Sequence, residues 1–323
     1  MSVEATEPRL ALGSLGMRLP GADDLSGLLD RRTPVPTTST RLPGLEGDDT
    51  IETAIAAVAE IGLPETVPRR KLRDLGREAL LALAAAGDVC GALPSTERVG
   101  VVWASANSGL AEYVQLCHEA AVLEPGLVRP TLGPRSAFNG PCADLSITFG
   151  LTGPQLTLIG GPAAGASAVL EARLLVRTGQ CDRVLVGGSA AVTPWSLKSR
   201  DTEATTPAEG ALGLMVVPAN ADEGPRVTRH LRIQWNTARG RERLRALLSA
   251  GTDVVLSGIE PADLADLDPN VVHQVEHGTG ELGAAGGVLA VALAAAQVEA
   301  ARSSRCVAVT ADPDGAMTAV ELG

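Results

Sequence analysis

Aromatic side chains are scarce in this 323-residue chain, which holds three Trp, two Phe and one Tyr. A surface that grips nucleic acid needs stacking rings and a basic face. The chain has few of the first and, at a net charge of −11, lacks the balance for the second, so nucleic acid is excluded as a partner class. Its four histidines form no metal motif. Cys90, Cys117, Cys142, Cys181 and Cys306 are odd in number, widely spaced and mostly in apolar context. No pair has ligand spacing, so they read as reduced thiols of a cytoplasmic protein, with neither a disulfide frame nor a metal site. The longest uncharged run, Leu282 to Val298, is rich in Ala and Gly and reads as a buried helix rather than a membrane span. Met1 to Glu7 has no basic flank and no apolar signal core, which argues against export.

What is present is an alternation of short apolar runs and helical patterns. Arg9 to Leu15 reads as an opening strand, Gly16 to Gly21 as a turn, and residues 30–50 as a long Pro/Thr/Gly surface loop. Ile51 to Ile61 and Lys71 to Ala86 have helical spacing. In the second, Leu72, Leu75, Ala79, Ala82 and Leu83 share one face, with Arg69, Arg70, Arg73 and Arg77 turned to solvent. Strands at 98–104 and 183–188 and helices at 108–122 and 137–150 complete a first half. A shorter stretch of similar order follows, with strands near 211–217, 226–234, 253–256, 307–310 and 317–322, a basic helix at 241–248, a Gly-rich turn at 278–287 and a helix to about 300. The alternation predicts an α/β fold with parallel strands and helices on both faces.

The most informative stretch is residues 153–172. It reads as an apolar strand, a tight Gly-Gly-Pro turn at Gly160, Gly161 and Pro162, and then a helix of very small residues. A strand-to-helix elbow of this kind exposes the side chain at its apex to the positive helix N-terminus and usually presents a nucleophile there. Here the apex holds two glycines and a proline, none of which can attack. Ala163 to Leu170 is echoed by Ala284 to Val291, aligned from Ala163 and Ala284, which leaves open either a chance match of Ala/Gly-rich sequence or two equivalent buried helices.

Several blocks, in order, resemble the β-ketoacyl synthases of the thiolase superfamily. They are Asn139 to Asp144 with Phe149 to Pro154, Cys181 to Gly188, Pro207 to Val216, and Leu282 to Gly286. The resemblance implies a thiolase-like fold of two pseudo-symmetric halves, residues 1–218 and a shortened 219–323, whose mixed sheets sandwich buried helices in αβαβα layers. A condensing synthase of this family uses a cysteine at the elbow and two histidines. Matching the blocks puts Pro162 at the cysteine position, Gly258 and Gly280 at the histidine positions, and Val275 at a lysine position. His277 in His277-Gly278-Thr279-Gly280 spells the family's first histidine motif in the wrong place and is read as a polar turn residue. Cys142 is read as a buried core thiol, and His118 near Cys117 as packing or surface.

Within the family, a chain without its cysteine resembles the chain length factors, or ketosynthase β subunits, of type II polyketide synthases. That resemblance implies no catalysis by this chain, a heterodimer with a catalytic ketosynthase, and a tunnel shaped at their interface. No cofactor is expected on the chain itself, while the complex is expected to use a phosphopantetheinyl acyl carrier protein. Pro162 and the shortness between Ala219 and Asp253 suggest a divergent branch, such as one making reduced, polyene-type chains. Leu110, Tyr113 and Cys117 on one helical face, and Phe138, are candidates to line or close the tunnel, with ordinary packing as the equal alternative. Two rival readings stay open. One is a degenerate enzyme decarboxylating malonyl carrier protein or hydrolysing thioesters with His277 and Glu209, and the other a homodimeric carrier-binding scaffold.

Overall fold

A computed structural model describes residues 8–31, 33–44, 50–65, 67, 72, 75–91, 97–198, 200, 205–218 and 224–323. Two five-stranded sheets dominate. The first takes β1 (Arg9–Arg18), β4 (Val99–Ser105), β5 (Gln155–Ile159), β6 (Arg183–Ala190) and β7 (Gly210–Val217) in the order β1-β7-β6-β4-β5. The second takes β8 (Val227–Gln234), β9 (Asp253–Ser257), β10 (Asn270–Gln274), β11 (Cys306–Ala311) and β12 (Ala316–Leu322) in the order β10-β9-β11-β12-β8. β4 runs parallel to β5 and β6, and β7 is antiparallel to both β6 and β1. β9 is likewise parallel to β10 and β11, and β12 is antiparallel to β11 and β8. The same path is therefore walked twice. A hairpin of β2 (Thr38–Pro43) and β3 (Thr50–Ile55) stands apart.

Two helices lie back to back between the sheets. They are the elbow helix, Pro162–Arg177, and a late helix, Ala284–Glu299. Both are Ala-rich because small residues let the backbones approach closely, and the approach is reciprocal. A Cβ on Gly165 would lie 1.9 Å from the carbonyl oxygen of Ala284, and a Cβ on Gly287 would lie 1.8 Å from that of Pro162. Pro162 is thus the counterpart of Ala284, one position away from the alignment that the sequence echo suggests. Ala, Val and Leu from both sheets close this central core around the late helix, which is buried along nearly its whole length. Outside the first sheet, helices Arg77–Cys90 and Gly140–Phe149 cover Trp103, Leu185 and Met215. Outside the second, helix Ala238–Leu247 packs Leu244 and Leu247 onto Val254 and Leu256. The result is a layered α/β architecture, with one helix pair between two sheets and further helices outside each sheet.

Local expectations fail in several places. β1 continues through Arg18 past an irregularity between Ala11 and Gly16, because β7 supplies a pairing partner there. Residues 30–50 are not all loop, since β2 occupies part of them. Ile51 to Ile61 is no helix. Thr50-Ile51-Glu52-Thr53-Ala54-Ile55 alternates outward and inward in β3, a two-residue period with β-branched residues that outweighs the helical spacing. The stretch 278–287 is turn only in part, lying between a short helix Val275–Thr279 and the start of the late helix. Arg69, Arg70 and Arg73 fall outside the described residues, and Arg77 is more than a solvated charge. Its guanidinium pairs with the buried carboxylate of Glu209.

Candidate functional site

The elbow forms because β5, an edge strand held by β4, delivers Gly160 and Gly161 to the mouth of the central layer. Pro162 then opens the helix, where a missing N–H costs nothing and a fixed φ is already helical. The elbow's own N-cap residue, Gly161, offers no side chain. The cap comes from Asp312, just beyond β11, whose Oδ1 accepts from Ala163 N at 2.8 Å and whose Oδ2 accepts from Gly161 N at 3.2 Å. Burial pushes the Asp312 carboxyl above its usual range, against the two N–H bonds that favour its charge.

Gly258, immediately after β9, lies against this apex. A Cβ there would stand 2.8 Å from Pro162 Cγ and 2.1 Å from the Ala311 carbonyl oxygen, and its φ of +70° belongs to glycine. Behind it, Glu276 Oε1 accepts from Ser257 Oγ at 2.7 Å and from Gly258 N at 2.8 Å. Among the described residues its Oε2 is buried with no hydrogen-bond partner. Burial raises the Glu276 carboxyl to about 7.

The other sequence candidates do not gather here. Gly280 sits among Ala208, Thr206 and Ala56, and Val275 is buried in the central core. His277 is exposed and takes part through its backbone, whose carbonyl accepts from Val35 N. Glu209 is held by Arg77 and by Val58 N at 3.0 Å, and no hydrogen bond joins it to His277 among the described residues. Cys142 is buried 3.6 Å from the Leu156 carbonyl oxygen, and burial lifts its thiol to about 11, the behaviour of a core thiol. His118 is half-buried.

Leu110, Tyr113 and Cys117 share the helix Leu110–Val122, with Leu110 half-buried and the other two exposed. Phe138 is 54% exposed and Tyr113 53%. They belong to a set of uncovered apolar groups that includes Ile147 outside the sheet and Leu156 and Ile159 on β5 itself. Among the described residues no cluster of His, Cys, Asp and Glu could hold a metal ion, and no helix is long and apolar enough to cross a membrane.

Asp312, Glu276 and Ser257 were not legible as site residues. Asp312-Pro313-Asp314-Gly315 carries a turn signature, but nothing local says that its first carboxylate reaches a helix about 150 positions earlier.

Residues 68–210 match the family model described as the N-terminal domain of β-ketoacyl synthase. The ishigamide ketosynthase/chain length factor superposes with a TM-score of 0.79 at 20% identity, covering 98% of this chain and 99% of that one. The fold is the ketosynthase fold. The ketosynthase ApeO in complex with its chain length factor ApeC, from Xenorhabdus doucetiae, gives a TM-score of 0.73 at 16% identity, over 100% of this chain and 99% of the other. AntDE:AntF, a type II polyketide synthase acyl-carrier protein in complex with its ketosynthase bound to the hexaketide, gives 0.72 at 13% identity, over 98% and 99%. No curated protein matches the sequence. The elbow apex and the residue after β9 meet at the start of the elbow helix, as Pro162 and Gly258.

Proposed function

We propose that this chain is the non-catalytic, chain-length-factor-type subunit of a type II polyketide synthase, working beside a catalytic ketosynthase. One observation carries the reading: the apex of a ketosynthase elbow is filled by Gly160, Gly161 and Pro162, with Gly258 packed against the proline. No side chain at the apex can form an acyl-enzyme, and at position 258 backbone and proline leave no room for a larger residue. A synthase-like chain with this site contributes shape and contacts rather than a nucleophile.

The uncovered apolar face supports pairing. β5 is an open sheet edge, and Leu156, Ile159 and the neighbouring Ile147 are exposed at its end of the molecule. Exposed apolar edges invite a partner strand. A ketosynthase seated there would bring Tyr113, Cys117, Leu110 and Phe138 toward a shared tunnel, where a bulky side chain limits chain length. The carrier would be an acyl carrier protein with its phosphopantetheine arm, and the product class a reduced, polyene-type chain. The residue ranges 1–218 and 219–323 are the proposed halves.

The test is co-expression with a ketosynthase encoded beside this chain. A one-to-one complex that elongates malonyl units only with this chain present, and that tolerates His277→Ala and Cys142→Ala, supports the reading. A soluble homodimer with decarboxylase or thioesterase activity of its own, abolished by His277→Ala, overturns it.

A further inference from the structure

The first turn of the elbow helix has few donors to offer. Pro162 has no N–H, so Gly161 and Ala163 supply the N–H groups at the apex, and both point at one carboxylate. A thioester carbonyl, or the oxyanion formed when it is attacked, would need converging N–H donors at that place. We propose that Asp312 is a built-in occupant of the elbow's anion-binding position, closing it to acyl groups independently of the missing nucleophile. The proposal rests on the reading of the chain as a non-catalytic ketosynthase homologue and extends it to a second, separate block.

Three observations distinguish this from an ordinary helix cap. Ordinary caps come from the N-cap residue itself, whereas Asp312 arrives from the turn between β11 and β12, 149 and 151 positions away from its two donors. The apex is shaped around it, because a Cβ on Gly161 would lie 2.6 Å from Asp312 Oδ1. The fold does not require it either. In the other half the residue following β6 is Ala191, and no side chain caps the late helix among the described residues.

The proposal is tested by placing a reporter thiol at the apex, Pro162→Cys, in the full chain carrying Cys117→Ser to remove the exposed thiol. Thiolate absorbance is followed against pH, as a difference from the same chain with Pro162. A thiol at an open helix N-terminus titrates well below the ordinary value of about 8.5. With Asp312 in place the reporter is expected at or above that value. Adding Asp312→Asn, which keeps the shape and removes the charge, is expected to lower the midpoint by at least about one pH unit, roughly a tenfold gain of thiolate near pH 7. Asp312→Ala, with its fold checked by circular dichroism, should do the same. Equal midpoints with and without Asp312, or a low midpoint with Asp312 intact, overturn the proposal. A chain that never pairs with a ketosynthase overturns the functional reading while leaving this titration informative, so the two failures are separable.

Discussion

The two halves of this molecule follow one path and finish it differently. β4 and β9 are counterparts, and each ends in a serine, Ser105 and Ser257, whose hydroxyl donates to an inward-turned glutamate, Glu78 at 2.6 Å and Glu276 at 2.7 Å. Burial raises both carboxyls to about 7. Each Oε1 takes a second bond, Glu78 from Ser189 Oγ, which in turn accepts from Trp103 Nε1, and Glu276 from Gly258 N; among the described residues Glu276 Oε2 is buried without a partner. Beyond these serines the halves part. The elbow helix meets a carboxylate from the turn after β11, and in the other half the residue that follows β6 is Ala191, which has no carboxylate to offer. The outer edges differ as well, since β5 reads Gln-Leu-Thr-Leu-Ile and β10 reads Asn-Val-Val-His-Gln. Duplicated topology fixes where strands and helices lie. The chemistry at their ends is free to diverge, because end residues carry little of the packing.

The edges give the largest expected contrast. Ile159→Asp together with Leu156→Lys on β5 should abolish one-to-one co-purification with the ketosynthase, since charges buried in an apolar interface have no partner. Charges at outward positions of β10, Asn270→Lys together with Gln274→Lys beside Asp253 and Glu260, should leave the complex intact. Equal loss from both pairs would remove the distinction between the edges. The central helices should behave symmetrically instead. Gly165→Ala and Gly287→Ala each force a methyl onto a carbonyl oxygen less than 2 Å away, so each should cost about 3 kcal/mol, read by urea melts. A large effect at one glycine alone would show that the two-fold relation does not extend to energetics.

The smallest effect concerns the paired glutamates. A carboxyl raised to about 7 holds a proton in the folded chain that the unfolded chain has released above its usual value near 4.5. Stability should therefore fall as pH rises through that window, with the loss complete above about 7. Glu78→Gln keeps an acceptor for Ser105 and Ser189 without the charge. It should flatten this dependence and stabilise the chain at pH 8 by of order 2 kcal/mol, measured as a shift in Tm between pH 5 and 8. Glu276→Gln should gain less, because its amide would place a donor where Oε2 already lacks a partner. An unchanged pH profile in both variants would show that these carboxyls ionise normally.

Much of the architecture was legible. The elbow strand, its Gly-Gly-Pro turn and the helix after it are local signals, and so is most of the strand–helix alternation. Pro162 could be recognised as an apex without a nucleophile from its neighbours alone. The misreadings share one cause: β3, the continuation of β1 and the short strand β10 are each stabilised by pairing with a distant strand, which local spacing does not record. Gly258 was assigned through a resemblance of blocks, and its meeting with Pro162 needed β9 and the elbow to be brought together. Gly280, assigned in the same way, lies elsewhere.

The sequence by itself determined a protein of small-residue helices packed against sheets, with an acidic, aromatic-poor composition and a strand-to-helix elbow whose apex is Gly160-Gly161-Pro162. These follow from composition, from periodicity and from what a glycine or a proline cannot do. Only the tertiary structure decided that Asp312 caps the elbow, that Glu78 and Glu276 occupy matched sites, and that edge strand β5 leaves Leu156 and Ile159 exposed while Val271 and Val272 on the other edge are half-buried. Each of these depends on which distant segment arrives at a given place, and long-range arrival is a property of the packed chain rather than of any window along it.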